Sequence, residues 1–335
     1  MKALVYTGPK AMTLREEPAP SAGNDDVIVG VEAVGICGSD MHAYLGHDER
    51  RPAPLILGHE AAGTVLSGAG QGRRVTINPL VTCMSCPACL SGRTNLCASR
   101  QIISMPPRQG AFAEQVAIPE RNVVAVPDGF PIEKAALCEP LACAWHAVRL
   151  GAAASQTPLS ALRTLVIGGG PIGLGVALTL AAFGASAVSI VEPNPLRRPV
   201  LAQAGDFTVV TTAEESGGQF DLVVDAYGGE ASRAVASRTV QPGGVIVHIG
   251  LASAVGGLDV RRITLQEITF IGTYCYTMTD FTDTFAAMTA GRLGPLDWFE
   301  MRPLGGGADA FADIHAGRNA APKIILRPPG QTKFL

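Results

Sequence analysis

The chain has 335 residues, a length that predicts two domains rather than a single hydrophobic core. Its formal net charge is −3 and it has no cluster of Lys and Arg, so we expect neither nucleic acid nor an anionic membrane surface as a partner. Apolar residues make up 47% of the chain and there are 39 glycines, a composition typical of an α/β protein with many tight turns.

Short β-type runs separated by turns dominate the first 125 or so residues. The opening MKALVYTG predicts a strand, because its apolar run is too short for a signal peptide, and we therefore expect a cytoplasmic protein. Further strand candidates, with Gly, Pro and Asn between them, are VIVGVEAVG, GTVLSGAG, RRVTINP and AFAEQVAIP. This pattern predicts a β-rich domain with few long helices.

A helical pattern begins near Ala135 and continues to Leu150, and from Arg163 onward strands alternate with helices. The apolar, β-branched strand candidates are TLVIGG, VSIVE, FTVV, DLVVDAY, VIVHIG and ITFIG, and helices are predicted over 171–184, 195–204, 229–240 and 280–291. Such alternation predicts a parallel sheet covered on both faces. The tail is predicted to return to the first domain. We therefore expect one domain over 1–150 with 293–335, and a second over 151–292.

The segment from Thr164 to Val191 contains no charged residue and has the hydropathy of a membrane span. Several glycines and Pro171 interrupt it, however. A buried strand, a turn and a helix packed on the sheet account for this pattern better than a transmembrane helix does.

The glycine-rich segment GGGPIG, residues 168–173, follows the strand candidate Leu165–Ile167 and precedes a helical stretch. In this G-x-G-x-x-G pattern Gly168 makes a tight turn, Gly170 lets the backbone approach a pyrophosphate and Gly173 lets helix and strand pack closely. The predicted cofactor contacts of the motif are Gly168, Gly170, Pro171, Ile172 and Gly173, at a helix N-terminus whose free N–H groups favour phosphate. A glycine-rich turn in an unrelated α/β protein is the alternative.

Glu192 lies at the end of the second predicted strand, 19 residues past the last glycine of that motif. A carboxylate there can accept both ribose hydroxyls of NAD and would repel the 2′-phosphate of NADP, so we expect a preference for NAD. Arg197 and Arg198 follow closely and soften that repulsion. Asp225 and the Ile249–Gly250 segment fall at the carboxyl ends of predicted strands, where open parallel sheets bind ligands, and are further candidates for cofactor contact.

Four of the eight cysteines lie within fifteen residues, in the spacing Cys83-x2-Cys86-x2-Cys89-x7-Cys97. Four thiolates with no open position describe a closed, structural zinc site. An iron–sulfur centre also uses four cysteines, and disulfides or free thiols are the remaining alternative.

A second, dispersed set consists of Cys37 in GICGSD, His59 and Glu60 in GHE, and Glu139 in CEP. One sulfur, one imidazole and one or two carboxylates leave room for water or substrate, as a catalytic zinc requires. Taken singly, each has an ordinary structural interpretation: a small buried thiol, a hydrogen-bonded core histidine and a charge at a helix N-terminus.

The order GICGSDMH, LGHEAAG, CMSCPACLSGRTNLC, ALCEPLACAWHA and VIGGGPIG resembles the zinc-containing medium-chain dehydrogenase/reductase superfamily over essentially the whole chain. Within it the sequence looks most similar to the sorbitol (polyol) dehydrogenase group, which the Glu-Pro pair at 139–140 supports. The resemblance implies an α/β architecture: a β-rich, partly open GroES-like barrel as catalytic domain beside a Rossmann domain. It also implies a homodimer or homotetramer.

By the same resemblance Cys37, His59 and Glu60 are metal ligands, and Glu139 binds the metal directly or through its water. Asp40 supports His59, and Ser39 and His42 match the family's proton relay. Two zinc ions per chain follow, one catalytic and one structural.

The sequence departs from the family pattern in two places. Cys138 and Cys143 flank Glu139, so a thiol could compete for the metal, and the segment 44–47 does not match the tryptophan-containing segment associated with threonine dehydrogenases. Tyr44, Phe112 and Tyr274 are candidate walls of the substrate pocket, with ordinary core packing as the alternative.

The sequence therefore predicts a zinc-dependent, NAD-linked dehydrogenase that acts on a small secondary alcohol or ketone, with a polyol or sugar acid as the preferred substrate. Threonine or a simple secondary alcohol is the alternative within the superfamily. An interaction module that binds zinc without catalysis is the alternative from a different class.

Overall fold

The computed structural model describes residues 1–330. Within this range the strands are β1 (Lys2–Gly8), β2 (Ala11–Glu16), β3 (Asp26–Gly35), β4 (Leu55–Ile56), β5 (Glu60–Ser67), β6 (Arg74–Ile77), β7 (Leu80–Val81), β8 (Gln101–Ile102), β9 (Gln115–Pro119), β10 (Val123–Ala125), β11 (Arg163–Ile167), β12 (Ala187–Val191), β13 (Thr208–Val210), β14 (Phe220–Asp225), β15 (Val240–His248), β16 (Thr269–Gly272), β17 (Phe299–Pro303) and β18 (Lys323–Arg327). The helices are α1 (Gly38–Tyr44), α2 (Pro87–Leu90), α3 (Ile132–Ala135), α4 (Cys138–Ala154), α5 (Pro171–Ala182), α6 (Arg198–Ala204), α7 (Glu230–Thr239), α8 (Val260–Leu265), α9 (Met278–Thr289) and α10 (Gly307–His315).

Six strands of the second half of the chain form one parallel sheet in the order β13-β12-β11-β14-β15-β16. This is the doubly wound order of dinucleotide-binding sheets, with the topological switch point between β11 and β14. Strand residues such as Leu165, Val166 and Val224 are fully buried because helices cover both faces of the sheet. The predicted Rossmann sheet is confirmed.

The uncharged segment 164–191 forms β11, a glycine-rich turn, α5 and β12. Helix α5 has 12 residues, and those from Gly173 to Leu180 are buried, which explains why it is apolar all round. Among residues 1–330 there is no helix of the length and apolarity that crossing a membrane requires. The strand–turn–helix interpretation of this segment is therefore confirmed.

A seven-stranded sheet dominates the first part of the chain, and β3 is its centre. Strand β3 pairs with β5, β9 and β18, all antiparallel. Its alternate residues Val27, Val29 and Val31 are buried in the core of this part of the molecule. Because β17 and β18 join this sheet, the end of the chain contributes directly to the β-rich part.

Helix α4 connects the two parts. Its first turn carries Glu139 beside the β-rich part, whereas its remaining length packs against α5 and α9. Gly151 faces Leu222 and Val247 of the parallel sheet at a distance that leaves little room for a side chain. The predicted domain bounds place most of α4 in the first domain, although the helices it packs against, α5 and α9, belong to the second half of the chain. The bounds stay a prediction.

Candidate active site

The three residues of one predicted metal site lie together. Cys37 precedes α1, and His59 and Glu60 lie where β5 begins. Antiparallel pairing of β3 with β5 sets Gly35 opposite Glu60, which brings Cys37 beside His59. One ligand atom from each of the three residues lies within 4.8 Å of the others. A thiolate, an imidazole and a carboxylate form a donor set that suits zinc and leaves a coordination position for substrate.

Buried polar side chains orient His59. Asp40 Oδ1 lies 3.4 Å from Nδ1 of His59, and the Ser104 hydroxyl oxygen lies 3.3 Å from the same nitrogen. Because Nδ1 faces a carboxylate, it carries the proton, and Nε2 is the nitrogen left for the metal. Burial disfavours the ionised form of Asp40, but the facing His59 ring outweighs it, so the pKa of Asp40 lies below its usual value. Ser104 has a φ of 73°, a left-handed conformation that is strained for serine.

The predicted relay residues Ser39 and His42 lie three residues apart on α1 and so share one face of that helix. The Ser39 hydroxyl lies 3.5 Å from Nε2 of His59, next to the metal ligands. The buried Arg51 donates to the carbonyl oxygen of Ser39 over 3.2 Å and to its hydroxyl oxygen over 3.5 Å. Burial and the charge of His47 lower the pKa of His42, which is therefore a neutral proton acceptor at pH 7.

Glu60 is held by a buried lysine. The ammonium of Lys323, on β18, lies 2.7 and 2.6 Å from the two carboxylate oxygens of Glu60, and both side chains are at most 1% exposed. The same ammonium donates to the carbonyl oxygen of Ile36 over 2.8 Å. A Cβ on Gly35 would lie 2.1 Å from the Glu60 carboxylate, so glycine is required there. Lys323 thus neutralises one of the negative charges that crowd the metal site.

Glu139 is buried in the first turn of α4 and lies outside the group of three ligands that come within 4.8 Å of one another. Its Oε1 accepts a hydrogen bond of 2.8 Å from the Tyr276 hydroxyl. Burial raises the pKa of Glu139 to about 7. Of the two neighbouring thiols, Cys143 lies 4.0 Å from the same oxygen, whereas Cys138 donates to the carbonyl oxygen of Phe281 in the core.

Two of the three predicted pocket walls pack in the core. Phe112 is fully buried and Tyr44 is 6% exposed, and both pack against Phe311. Core packing, the alternative for these two residues, accounts for their burial, and their place in the pocket wall stays a prediction. Tyr274 is half-buried, stacks under Arg100 and remains a candidate wall.

The second predicted metal site is formed by the four-cysteine lobe, residues 83–97. The sulfur of Cys83 lies 3.9 Å from that of Cys89 and 3.4 Å from that of Cys97. Thiolates on one zinc ion lie about 3.8 Å apart, whereas a disulfide requires about 2.0 Å. The N–H and hydroxyl of Ser85 lower the pKa of Cys83 to about 5, which favours the thiolate that binds metal. All four cysteines form one cluster, which fits a closed zinc site.

The glycine motif has the conformation that a dinucleotide requires. Gly168 has a φ of 100°, and a Cβ on Gly173 would lie 1.7 Å from the Gly168 carbonyl oxygen. A Cβ on Gly170, at the N-terminus of α5, would meet no atom within 4 Å, so this backbone borders open space where a pyrophosphate fits. Pro171 and Ile172 follow in the first turn of the helix and are half-buried.

Glu192 lies beside that motif. Its Oε2 accepts a hydrogen bond of 3.0 Å from the N–H of Gly169, and its Oε1 accepts one of 2.7 Å from that of Asn194. Arg197 lies 3.4 Å from the same carboxylate. These contacts fix the carboxylate at the end of β12, and Oε1, which accepts a single hydrogen bond, retains a lone pair for a ribose hydroxyl.

Asp225 is fully buried, and its predicted direct contact with the cofactor stays a prediction. One carboxylate oxygen accepts from the N–H groups of Tyr227 and Gly228 over 3.2 and 2.8 Å, and the other lies 3.1 Å from Nδ1 of His248. The side chain therefore shapes the turn after β14 from within. Ile249 and Gly250 follow β15 at the same edge, and Gly250 packs closely on the Tyr227–Gly228 turn.

Sequence reasoning missed Lys323, Tyr276, Arg51 and Ser104. Lys323 had a usable signal, because a lone lysine at the start of the apolar run KIIL requires a buried partner. Tyr276 and Ser104 had none, because their partners Glu139 and His59 lie 137 and 45 residues away, and the Arg51–Asp48 pair gave no sign that Arg51 also contacts Ser39.

Two family models match the chain: one described as an alcohol dehydrogenase GroES-like domain over residues 23–128, and one described as a zinc-binding dehydrogenase over residues 171–290. The chain is 32% identical over 310 residues to L-galactonate-5-dehydrogenase of Escherichia coli, with 88% of each chain covered. It is 32% identical over 300 residues to sorbitol dehydrogenase of Bacillus subtilis, with 83% of each covered. The solved structure of the alcohol dehydrogenase TADH from Thermus sp. ATN1 superimposes with a TM-score of 0.85 at 26% identity and covers 98% of this chain and 100% of that one.

These likenesses confirm the expected fold class and the expected zinc-dependent dehydrogenase chemistry. They rule out the interaction module without catalysis, because the relatives are named dehydrogenases over nearly their full length. Both cysteine-containing clusters fit the zinc ions that the family name implies. The chain belongs to the zinc-containing medium-chain dehydrogenase/reductase superfamily and is similar to its polyol dehydrogenases.

Proposed function

We propose that the substrate is a small polyhydroxylated secondary alcohol, a sugar alcohol or a related sugar acid, which is oxidised with NAD to a ketone. The carrying observation is the buried Glu139–Tyr276 pair beside the metal ligands, joined by a hydrogen bond of 2.8 Å. A carboxylate and a phenol in this position can hydrogen-bond a second hydroxyl of the substrate, whereas a simple alcohol leaves them without that partner. A Cβ on Gly38 would meet no atom within 4 Å, so the cleft next to Cys37 is open.

The assignment of roles follows from the contacts. Cys37, His59 and Glu60 hold the catalytic zinc, and Glu139 stands next to it as an alternative ligand and hydrogen-bond acceptor. When bound, zinc supplies a Lewis acid that makes the substrate hydroxyl acidic, and the nicotinamide ring supplies the hydride acceptor.

The substrate proton leaves through the side chains of α1. The Ser39 hydroxyl lies next to His59. Its oxygen accepts the substrate proton while its own proton passes on toward His42, and Arg51 holds the hydroxyl in position. His42 shares the helix face with Ser39, and its lowered pKa keeps it neutral, so it passes the proton to solvent.

NAD is the preferred cofactor in this proposal. The Glu192 carboxylate, fixed by two backbone N–H groups, repels a 2′-phosphate, and Arg197 offsets part of that repulsion. Comparison of kcat/KM for NAD and NADP tests it, and Glu192→Ser should narrow the difference. A higher kcat/KM for NADP in the unmodified enzyme would refute the assignment.

A second copy of this chain is the proposed partner, in a homodimer or homotetramer. Strand β16 is an edge strand of the parallel sheet, and large apolar side chains around it are exposed: Leu251, Val255, Val260, Leu265 and Phe270. An exposed edge with an apolar surround is suited to pairing with another strand. Light scattering of the purified protein, compared with the Leu265→Glu variant, tests this; a monomer of the unmodified protein at micromolar concentration would contradict it.

A domain division at 150/151 and 292/293 and a cytoplasmic location complete the proposal. The thiol state of all eight cysteines supports a reducing compartment. Limited proteolysis tests the domain bounds, and cell fractionation tests the location.

The substrate is tested by incubating the zinc-loaded enzyme with NAD and sugar alcohols, sugar acids, L-threonine, ethanol and isopropanol, and following NADH at 340 nm. We expect a C4–C6 polyol or its acid to give a kcat/KM at least about 100-fold above that of isopropanol, because unpaired buried polar groups penalise the smaller alcohol. Glu139→Ala should reduce that ratio. If threonine or isopropanol gave the highest kcat/KM, the polyol assignment would fall.

A further inference from the structure

Three consecutive residues, Tyr274, Cys275 and Tyr276, lie between β16 and α9 and connect the two zinc sites of the chain. At one end of this segment the Tyr276 hydroxyl donates to Glu139 over 2.8 Å. At the other end Tyr274 is held by the four-cysteine lobe and by Arg100, three residues after the lobe. The segment is therefore anchored on both sides.

The lobe contacts the backbone of Tyr274 through a hydrogen bond from Asn95. The Asn95 side chain, which lies two residues before Cys97 and is 3% exposed, donates to the Tyr274 carbonyl oxygen over 2.7 Å across 179 residues of sequence. The neighbouring Thr94 hydroxyl accepts from the N–H of Met278 over 3.3 Å. Both contacts come from the turn that places the last cysteine of the lobe.

Arg100 contacts the side chain of the same tyrosine in two ways. Its guanidinium lies 4.9 Å from the centre of the Tyr274 ring, and its Nε donates to the Tyr274 hydroxyl over 3.4 Å. Its Nη1 donates to the carbonyl oxygen of Cys97 over 3.0 Å. Arg100 therefore joins a ligand of the lobe to the residue that the lobe holds.

Cys275, between the two anchors, has a φ of 47°. This left-handed conformation is costly for cysteine and persists where the surrounding contacts impose it. With both neighbours released, the segment would relax, and the Tyr276 hydroxyl would lose its position on Glu139.

We propose that the four-cysteine lobe positions the substrate site, with Asn95 and Arg100 as positioning residues that act through Tyr274 and Tyr276 on Glu139. The lobe then has a role in turnover in addition to its role in stability. The inference rests on the proposed place of Glu139 in the substrate site.

The test uses the zinc-loaded protein with Asn95→Ala and, as matched control, Ser91→Ala, which removes a side-chain hydrogen bond of 3.0 Å within the same lobe. Hydrogen exchange of residues 273–278 is measured without substrate, together with zinc content, and kcat/KM is measured with the best substrate of the screen. Asn95→Ala should raise the exchange rate of this segment at least tenfold and lower kcat/KM at least tenfold, with two zinc ions retained. Ser91→Ala should change neither quantity by more than twofold.

Arg100→Gln is the second variant, because Arg100 is exposed and its replacement does not endanger folding. It should accelerate exchange over the same segment, by a smaller factor than Asn95→Ala. Unchanged exchange in both variants, or an equal effect of Ser91→Ala, overturns the proposal. If exchange rises as expected while the best substrate is not a polyol, the substrate assignment falls and the positioning role stands.

A double-mutant comparison separates positioning from general loosening. If the lobe acts through Tyr276, then adding Asn95→Ala to Tyr276→Phe lowers kcat/KM by no more than about twofold beyond Tyr276→Phe alone, because the hydrogen bond to Glu139 is already gone. Losses that multiply would show that Asn95 affects turnover by another route and would overturn the proposal.

Discussion

Replacement of Lys323 by methionine removes one partner of an ion pair that has no access to water. The ammonium lies 2.7 and 2.6 Å from the Glu60 oxygens, and the two side chains are 0% and 1% exposed. Removal of one member of a fully buried pair leaves the other charge unpaired and costs about 3–5 kcal/mol. For a domain of this size the loss corresponds to a decrease in Tm of roughly 10 °C.

The matched control is Lys134→Met. Lys134 Nζ lies 2.5 Å from Asp297 Oδ1, but that carboxylate is 67% exposed, so the pair should contribute less than about 1 kcal/mol. Calorimetry of the zinc-free proteins measures both effects, because a zinc ion bound to Glu60 would supply that carboxylate with another positive partner. A decrease in Tm no larger for Lys323→Met than for Lys134→Met would refute the reasoning that burial decides the difference.

The pH dependence of this stabilisation has a definite sign. Burial lowers the pKa of Lys323, but Glu60 and Cys37 outweigh it and hold the pKa above its usual value. When the pKa of a lysine is higher in the folded than in the unfolded protein, the lysine stabilises the fold fully at any pH below its unfolded-state pKa of about 10.4. This stabilisation is lost only as the pH rises through the folded-state pKa. Calorimetry of the unmodified protein should therefore show the loss that deprotonation of Lys323 causes only above a pH of about 10.4.

Three further outcomes are expected. Cys89→Ser should reduce the zinc content from two to one per chain and lower Tm, whereas Cys37→Ser should abolish turnover with little change in Tm. Elemental analysis measures the zinc content and calorimetry measures Tm. Iron in place of zinc would contradict the assignment. His42→Asn should lower kcat by up to roughly 100-fold at pH 7 and remove the decline that protonation of His42 causes below pH 6.5 in the unmodified enzyme; an unchanged pH profile would exclude His42 from the relay. Gly173→Ala should weaken NADH binding at least about tenfold in a fluorescence titration, because its Cβ would lie 1.7 Å from the Gly168 carbonyl oxygen, and unaltered affinity would show that the turn tolerates a side chain.

Local patterns in the sequence were sufficient for most strands of the parallel sheet, for its main helices and for both clusters of metal ligands, but not for the helices α1, α8 and α10. The glycine motif, the four cysteines and the GHE segment are each contiguous or nearly so, and their geometry follows from a single turn or strand. The order of the parallel strands follows from the βα alternation. The helices α5, α7 and α9 lie within two residues of their predicted ranges.

Contacts between distant segments account for what the sequence did not predict. Lys323 and Glu60 are 263 residues apart, and Tyr276 and Glu139 are 137 apart. The sequence around one member of such a pair therefore does not identify the other. The packing of Phe112 in the core has the same origin, because its aromatic partner Phe311 is distant in the sequence. Asp225 lies at the predicted edge of the sheet, but its direction is set by Gly228 and His248.

The pairing of β18 with β3 determines when the metal site can be completed during protein synthesis. The ribosome makes Cys37, His59 and Glu60 early, but the lysine that neutralises Glu60 follows 263 residues later. Throughout that interval the edge of β3 that β18 later covers at Val34 and Gly35 stays open, and the Glu60 carboxylate has no lysine partner, while the parallel sheet can form from one continuous stretch of chain. The parallel sheet can therefore be complete before the seven-stranded sheet is.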